Sequence, residues 1–173
     1  MKEHNHTITA LHDLLAYDVQ KMQNAESQLK NTLPEWALKA GSFKLKEVLQ
    51  KYTTNIAGHI EKSETILVEE KVFPFSTINK VMHAFIEETN EKLALCTDAE
   101  VKDACLLAAI QEINHYKISV YGTAAAFANA LNIETTANLF HEAEISEKQI
   151  DDRLSQLATY EINLKAKTPI ALT

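Results

Sequence analysis

The sequence predicts an all-α protein that folds as one antiparallel bundle of long helices. The chain has 173 residues but only three glycines and three prolines. So few helix breakers over this length favour long helices over a β-sandwich or a doubly wound sheet. Apolar residues also recur at intervals of three or four, which is the spacing of one helix face. A single domain of this length, taken as residues 1–173, can bury a core without disulfides.

The first two helices are predicted on either side of a proline. The first runs from about Thr7 to Thr32 and is expected to end at residues 33–36, because the residue before Pro34 resists the α conformation. The second is expected from Ser42, a favourable N-cap, to about Val68. The inward positions are Ile8, Leu11, Leu15, Val19, Met22, Glu26, Leu29 and Leu33 in the first helix and Leu45, Leu49, Tyr52, Ile56, His59, Ser63 and Ile66 in the second.

An apolar break separates the two halves of the chain. Residues 72–76 read Val-Phe-Pro-Phe-Ser, which is too hydrophobic for a free linker and predicts a crossover. A shorter helix is expected to follow, from Ser76 or Thr77 to about Leu95.

Two more long helices complete the prediction. Thr97 and Asp98 are expected to cap a helix over residues 99–131, and the last helix covers about 136–160. Residues 165–173 have no periodicity and are predicted to be a loose tail. Four long helices with one short crossover helix match a ferritin-like antiparallel four-helix bundle.

Composition and charge exclude several classes of function. The formal net charge is −7 and there is no basic stripe, which argues against binding to nucleic acid or to an anionic membrane surface. The polar N-terminus lacks the apolar run of a signal peptide, and no apolar stretch is long enough to span a bilayer. Cys96 and Cys105 have no metal or redox spacing, which predicts two reduced thiols in a cytoplasmic protein. Phosphate loops and nucleophile elbows are absent from the sequence.

The predicted fold directs attention to metal ligands. In ferritin-like di-iron bundles, two helices supply one Glu each and two supply Glu-x-x-His, all pointing inward. Carboxylates and imidazoles suit iron or manganese. Glu26 lies on an inward stripe, where it is either a ligand or a salt-bridged glutamate. His59 is also inward, and a hydrogen-bonded pair with Asn55 is favoured over ligation.

The second half of the chain offers weaker candidates. The run 112–115, Glu-Ile-Asn-His, is the only clean Glu-x-x-His match, but its glutamate falls off the inward stripe that includes Asn114, which favours a surface position. In the last helix, Glu142 and Glu147 flank an inward stripe through Ser146.

Several segments resemble the YciE/YciF family of ferritin-like proteins. Residues 11–18 (Leu-His-Asp-Leu-Leu-Ala-Tyr-Asp) and 24–29 (Asn-Ala-Glu-Ser-Gln-Leu) are similar to the family's Leu-x-Asp-x-Tyr and Ser-Ala-Glu-Lys-Gln-Leu runs. The most specific match is 108–123, Ala-Ala-Ile-Gln-Glu-Ile-Asn-His-Tyr-Lys-Ile-Ser-Val-Tyr-Gly-Thr. It resembles the family's Ala-Ala-Ala-Gln-Lys-Val-Glu-His-Tyr-Glu-Ile-x-x-Tyr-Gly-Thr. Residues 139–158 resemble its final acidic helix. The resemblance implies a bacterial stress association.

The departures from the family pattern concern its carboxylates. The resemblance implies that Glu26, His115 and Glu142 are retained. It also implies that other residues stand where the family has carboxylates: Asn55, Asn114, Lys117 and Ser146. Amides and hydroxyls are weak ligands for iron, so we expect a degenerate di-metal site.

The sequence is compatible with two functions. The first is a non-enzymatic ferritin-like protein without a cofactor, which is favoured over an enzyme. The alternative is an iron- or manganese-binding oxidoreductase or iron-handling protein with a reduced ligand set of Glu26, His59, His115 and Glu142. The residue of the helix over 99–131 that faces inward distinguishes the two functions. If Asn114 faces inward, the bundle has at most a poor metal site.

A homodimer is expected by analogy with other ferritin-like bundles. Exposed apolar residues such as Trp36, Phe73 or Phe75 are the predicted contacts. The sequence identifies neither a substrate nor a protein partner.

Overall fold

The computed structural model describes residues 7–69 and 78–167, and it confirms the all-α ferritin-like bundle. Within these residues every regular element is helical. Helices α1 and α2 pack together, as do α4 and α5, and the two pairs meet through α1 with α4 and α2 with α5. The elements are α1 (Leu11–Lys39), α2 (Phe43–Glu69), α3 (Lys80–Leu95), α4 (Ala99–Ala130), α5 (Glu134–Leu157), a π-helical turn (Ala158–Ile162) and α6 (Asn163–Ala166).

Side-chain caps fix where the helices begin. The Ser42 hydroxyl accepts a hydrogen bond from the Leu45 amide at 3.3 Å, as expected for the start of α2. The Asp98 carboxylate caps α4, as predicted, by accepting hydrogen bonds from the Glu100 amide at 2.9 Å and the Val101 amide at 3.0 Å. The start of α3 differs from the prediction, because Asn79 is its cap. The predicted starts at Ser76 or Thr77, like the apolar break at 72–76, lie outside the described residues.

Helix α1 continues through Pro34, so the prediction that it ends at residues 33–36 is wrong. A proline inside a helix costs about 3 kcal/mol. That cost is offset by packing, because Leu33 and Trp36 on either side of the proline are fully buried. The Trp36 indole also donates a hydrogen bond to Asn90 on α3 at 2.9 Å.

The buried position of Trp36 also corrects its predicted role as an exposed contact. Its side chain has no accessible surface, so it is unavailable to a second copy of the chain. Phe73 and Phe75 lie outside the described residues. The homodimer itself stays a prediction.

The C-terminal helical segment is longer than the sequence predicts. Beyond α5 the chain stays helical to Ala166, through the π-helical turn and α6, which overlaps the start of the predicted loose tail. Burial of Ala158 and Ile162 explains the extension. Residues 168–173 lie outside the described part.

A charged side chain from one helix pair caps a helix of the other pair. The Asp103 carboxylate on α4 accepts hydrogen bonds from the Gly41 amide at 2.7 Å and the Ser42 amide at 2.8 Å. It therefore satisfies free amides at the N-terminus of α2, where a negative charge is favourable. The register of α1–α2 against α4 is fixed by this contact, which helps to align the polar side chains at the centre of the bundle.

None of the helices within the described residues is long and apolar enough to cross a membrane.

Candidate functional site

Each of the four long helices directs one ionisable side chain to a common point inside the bundle. Glu26 comes from α1, His59 from α2, Lys117 from α4 and Glu147 from α5. All four are buried, with exposed fractions between 0% for Lys117 and Glu147 and 7% for His59. Charged groups are rarely buried to this extent unless they are paired. We refer to these four side chains as the charged centre.

The ammonium group of Lys117 lies between the two carboxylates. Its Nζ atom is 2.6 Å from Glu147 Oε1 and 3.0 Å from Glu26 Oε2. It also donates a hydrogen bond to the Tyr52 hydroxyl at 3.1 Å, and it lies 4.5 Å from the centre of the Tyr52 ring. Two hydrogen bonds of the ammonium group have acceptors, Tyr52 and Glu147, whereas the contact with Glu26 Oε2 is an ion pair without a hydrogen bond. Lys117 is thus a buried cation held between both carboxylates.

The carboxylate of Glu147 is held by neutral donors as well. Its Oε2 atom accepts from the Tyr52 hydroxyl at 2.6 Å and from Asn114 Nδ2 at 2.7 Å. The same Asn114 nitrogen lies 3.0 Å from the backbone carbonyl oxygen of Glu147. Both oxygens of Glu147 are therefore occupied by donors, one by the ammonium and the other by the phenol and the amide.

The Oε1 atom of Glu26 contacts the imidazole of His59 and the phenol of Tyr121. His59 Nδ1 lies 3.3 Å from Glu26 Oε1 and 3.4 Å from Glu147 Oε1, so this ring nitrogen faces both carboxylates. Tyr121 donates its hydroxyl hydrogen to the same oxygen of Glu26. The Tyr121 ring also contacts the His59 ring edge-on, with 5.4 Å between the ring centres. These contacts fix the orientation of the imidazole.

Burial and pairing move the pKa values of the centre in opposite directions. Burial raises the pKa of Glu26, but the Lys117 ammonium, His59 and the Tyr121 hydroxyl outweigh it, and the net pKa is below the usual value of 4.5. Burial and the neighbouring carboxylates raise the pKa values of Tyr52 and Tyr121 well above 10.0. Both phenols therefore act as neutral hydrogen-bond donors to the carboxylates.

Three side chains of the charged centre could supply ligands to one metal ion. One donor atom each from Glu26, His59 and Glu147 lie within 4.8 Å of one another. The carboxylates that would bind the ion are, however, already bound to Lys117. The centre also has two carboxylates, where a di-iron bundle has four. This donor set does not fit a two-metal site, and the best it offers is a single position beside a fixed positive charge.

The predicted ligands separate into an inner and an outer group. Glu26 and His59 lie together in the charged centre, and Asn114 also faces inward. His115 has a side chain that is 64% exposed, and its Nε2 atom pairs with Asp151 at 3.2 Å. Consecutive helical residues point about 100° apart, so Asn114 and His115 cannot both face the core.

Glu142 also lies away from the centre. Its side chain is 61% exposed and pairs with Lys62 at 2.9 Å. Glu147, which is five residues further along α5, provides the inward carboxylate of that helix instead.

Asn55 and Ser146 occupy the rim rather than the centre. Both are half-buried, and Asn55 Nδ2 lies 3.4 Å from Ser146 Oγ across the α2–α5 contact. They line a cleft of about 680 Å³ between these helices, which Tyr52 also lines.

Sequence reasoning missed the central residue, Lys117. It was noted only as a departure from the family pattern and was not placed on the inward stripe of its helix. A signal was nevertheless present, because Asn114, Lys117 and Tyr121 have the spacing of one helix face. A lysine on that face requires buried carboxylates opposite it, and Glu26 and Glu147 were both candidates.

The helix order and the buried centre define a class: a ferritin-like four-helix bundle with an ion-pair network where members of the class hold metals. The chain belongs to the DUF892 family, described as a domain of unknown function, which matches residues 10–167. This confirms the predicted YciE/YciF resemblance, because the chain is 31% identical over 158 residues to protein YciF of Escherichia coli (strain K12). The match covers 91% of this chain and 95% of YciF.

Two solved structures share the fold. The crystal structure of the E. coli stress protein YciF matches with a TM-score of 0.84 and 30% identity, covering 90% of this chain and 99% of YciF. The structure of YcfI from Rhodopseudomonas palustris matches with a TM-score of 0.83, covering 90% of this chain and 98% of the other. At 23% identity, YcfI supports the fold alone.

Proposed function

We propose that this protein is a non-enzymatic, stress-associated member of its family, in which a lysine ammonium replaces the metal of a degenerate di-metal site. The observation that carries the proposal is the position of Lys117 Nζ, which is 2.6 Å from Glu147 and 3.0 Å from Glu26. Both carboxylates of the centre are ion-paired with one cation that belongs to the chain. The fold therefore needs no metal ion at these carboxylates to be stable.

Electrostatics supports the exclusion of a divalent metal ion. Such an ion between Glu26, His59 and Glu147 would sit within a few ångströms of the Lys117 ammonium. A divalent and a monovalent cation about 4 Å apart repel each other by roughly 8 kcal/mol at an effective dielectric constant of 20. The Lys117 side chain would have to leave the centre, although it is completely buried there.

The stress association rests on similarity to a relative. YciF of E. coli, to which this chain is 31% identical, is described as a stress protein. We propose that this chain acts in the same physiological setting, in the cytoplasm, through its surface rather than by catalysis. Deletion of the gene is expected to lower survival under stress, and complementation by a folded Lys117→Ala/Glu26→Ala variant, which lacks the position for a metal ion, should restore it.

The alternative is an iron- or manganese-binding oxidoreductase or iron-handling protein. The observation that favours it is the cluster of Glu26, His59 and Glu147, whose donor atoms lie within 4.8 Å of one another. This ligand set differs from the one predicted from the sequence, because His115 and Glu142 lie on the surface.

Metal titration separates the two functions. Chelator-treated protein is titrated with Fe²⁺ under argon and with Mn²⁺, desalted, and analysed for metal by mass spectrometry. We expect no stoichiometric binding by the natural chain and up to one ion per chain in Lys117→Ala, which frees the carboxylates. The double variant Lys117→Ala/Glu26→Ala is the matched control and should lose the gain.

Two irons bound per natural chain, or oxidation of Fe²⁺ by oxygen faster than in buffer alone, would establish the alternative. Circular dichroism of each variant verifies that the bundle is folded before binding is interpreted.

A further inference from the structure

The cleft between α2 and α5 is lined by one face of each helix. The lining residues on α5 are separated by three or four positions, as on a single helix face: Ser146, Gln149, Ile150 and Arg153. The same spacing relates four lining residues on α2: Val48, Lys51, Tyr52 and Asn55. The two helices run antiparallel, so the cleft follows both of them along their length.

Contacts between side chains bridge the two sides at each end of the cleft. At one end, Asn55 Nδ2 lies 3.4 Å from Ser146 Oγ. At the other end, Lys44 Nζ forms an ion pair at 2.6 Å with Glu161, in the π-helical turn that follows α5. From Lys44 to Asn55, α2 rises by about 16 Å. The cleft therefore has a defined length and is closed at both ends.

Two cations without a protein partner lie on the rim between these bridges. Lys51 and Arg153 are both exposed, and within residues 7–69 and 78–167 neither side chain forms an ion pair or a hydrogen bond. Glu47 also lines the cleft, one helical turn before Lys51, but it pairs with neither of them. The lining therefore carries two positive charges and one negative charge, in a chain with a formal net charge of −7. This local excess favours a ligand with a single negative charge.

The floor of the cleft is apolar. Val48 and Ile150 are only 9% and 8% exposed, and Tyr52, whose hydroxyl donates to Glu147 inside the bundle, is completely buried. An apolar floor with a few polar groups around it is the usual composition of a small-molecule site. The volume of about 680 Å³ also lies within the range of such sites, which is roughly 300–1,000 Å³.

We propose that this cleft binds a small organic monocarboxylate with an aromatic or aliphatic body. The carboxylate accepts two hydrogen bonds from the Arg153 guanidinium and pairs with the Lys51 ammonium, while the body covers Val48 and Ile150. Glu47 disfavours a second negative charge on the ligand. The inference does not depend on the function proposed for the charged centre, because it uses none of the four side chains of that centre.

Titration of ¹⁵N-labelled protein with phenylacetate, followed by NMR, tests the proposal. We expect the amide signals of residues 47–55 and 146–153 to shift, with a dissociation constant of about 1 mM or lower. Phenylacetamide has the same body without the charge and should bind at least about tenfold more weakly, because it cannot form charge-assisted hydrogen bonds. Acetate has the charge without the body and should also bind at least about tenfold more weakly.

Substitutions on the rim complete the test. Arg153→Gln and Lys51→Gln should each weaken phenylacetate binding by about tenfold, because each removes a charged partner of the carboxylate. Both residues are exposed, so the helical content should not change. Lys148→Gln is the matched control, because Lys148 is an exposed cation on α5 that pairs with Glu144 and does not line the cleft. It should leave the dissociation constant within about twofold.

Several results would overturn the proposal. They are shifts confined to residues outside the cleft, equally tight binding of phenylacetamide or acetate, or an unchanged affinity in either rim variant. The absence of any shift at about 10 mM phenylacetate would do the same.

Discussion

Replacing Lys117 by methionine removes the cation of the charged centre while nearly preserving its volume. The two carboxylates that contact the ammonium at 2.6 Å and 3.0 Å would remain buried, with exposed fractions of 0% and 1%. Removing one partner of a buried ion pair costs about 3–5 kcal/mol, because the remaining charge is left uncompensated. We expect the free energy of unfolding at neutral pH to fall by that amount, as measured by urea denaturation. Whole domains are stable by only about 5–15 kcal/mol, so the loss should be large relative to the total.

The pH dependence of the loss identifies its cause. In the natural protein the pKa of Glu26 lies below its usual value of 4.5, so Glu26 contributes stability above that pH and loses it under more acidic conditions. In Lys117→Met the buried Glu26 lacks the ammonium that lowers its pKa, and burial should raise that pKa. The folded variant would then bind more protons than the unfolded chain. Its stability should therefore rise as the pH falls from about 7 to 5, while this contribution to the natural protein stays nearly constant.

An exposed lysine provides the matched control. Lys148 pairs with Glu144 at 2.6 Å, but its side chain is 55% exposed. Lys148→Met should change the stability by less than about 0.5 kcal/mol at any pH in this range. If Lys117→Met were as stable as the natural chain at neutral pH, or if its stability did not rise on acidification, the ion-pair account of the centre would be refuted.

Four further substitutions test neighbouring parts of the structure by the same urea method. Asp103→Ala removes the two amide hydrogen bonds that cap α2 and should cost about 2–3 kcal/mol, whereas a cost below 0.5 kcal/mol would show that the cap is dispensable. Tyr121→Phe removes a buried donor from Glu26 and should cost about 1–3 kcal/mol, and an unchanged stability would contradict the hydrogen bond. His115→Ala and Glu142→Ala change exposed residues and should each stay within about 0.5 kcal/mol. Added to Lys117→Ala, neither should lower the amount of metal that this variant binds, and a loss in either would return that residue to the ligand set.

The sequence predicted the helices better than their ends. The apolar spacing of α1 and α2 is regular because each helix has one buried face, and Ser42 and Asp98 start helices as their capping chemistry requires. The end of α1 was missed because a local rule about proline competes with burial of Trp36, which depends on the distant helix α3. Tertiary contacts of that kind are not visible in a local pattern.

The charged centre could be predicted only in part, for a reason that lies in α4. This helix contacts α1, α3 and α5, so its buried residues surround much of its circumference. With small and apolar residues on several sides, periodicity does not fix which face points to the centre. Asn114 was placed inward, whereas Lys117 on the same face was not.

The cation of the charged centre is a side chain of the protein itself, whereas a metal ion has to be taken up from the surroundings. A metal centre must be loaded after synthesis, can be filled by the wrong ion, and empties when a chelator competes for it. Lys117 is part of the translated chain, so every chain carries one such ammonium group. It can be neither exchanged nor removed. Under this arrangement the cohesion of the four helices would be independent of iron supply, and the protein would keep its shape in a starved cell as in a replete one.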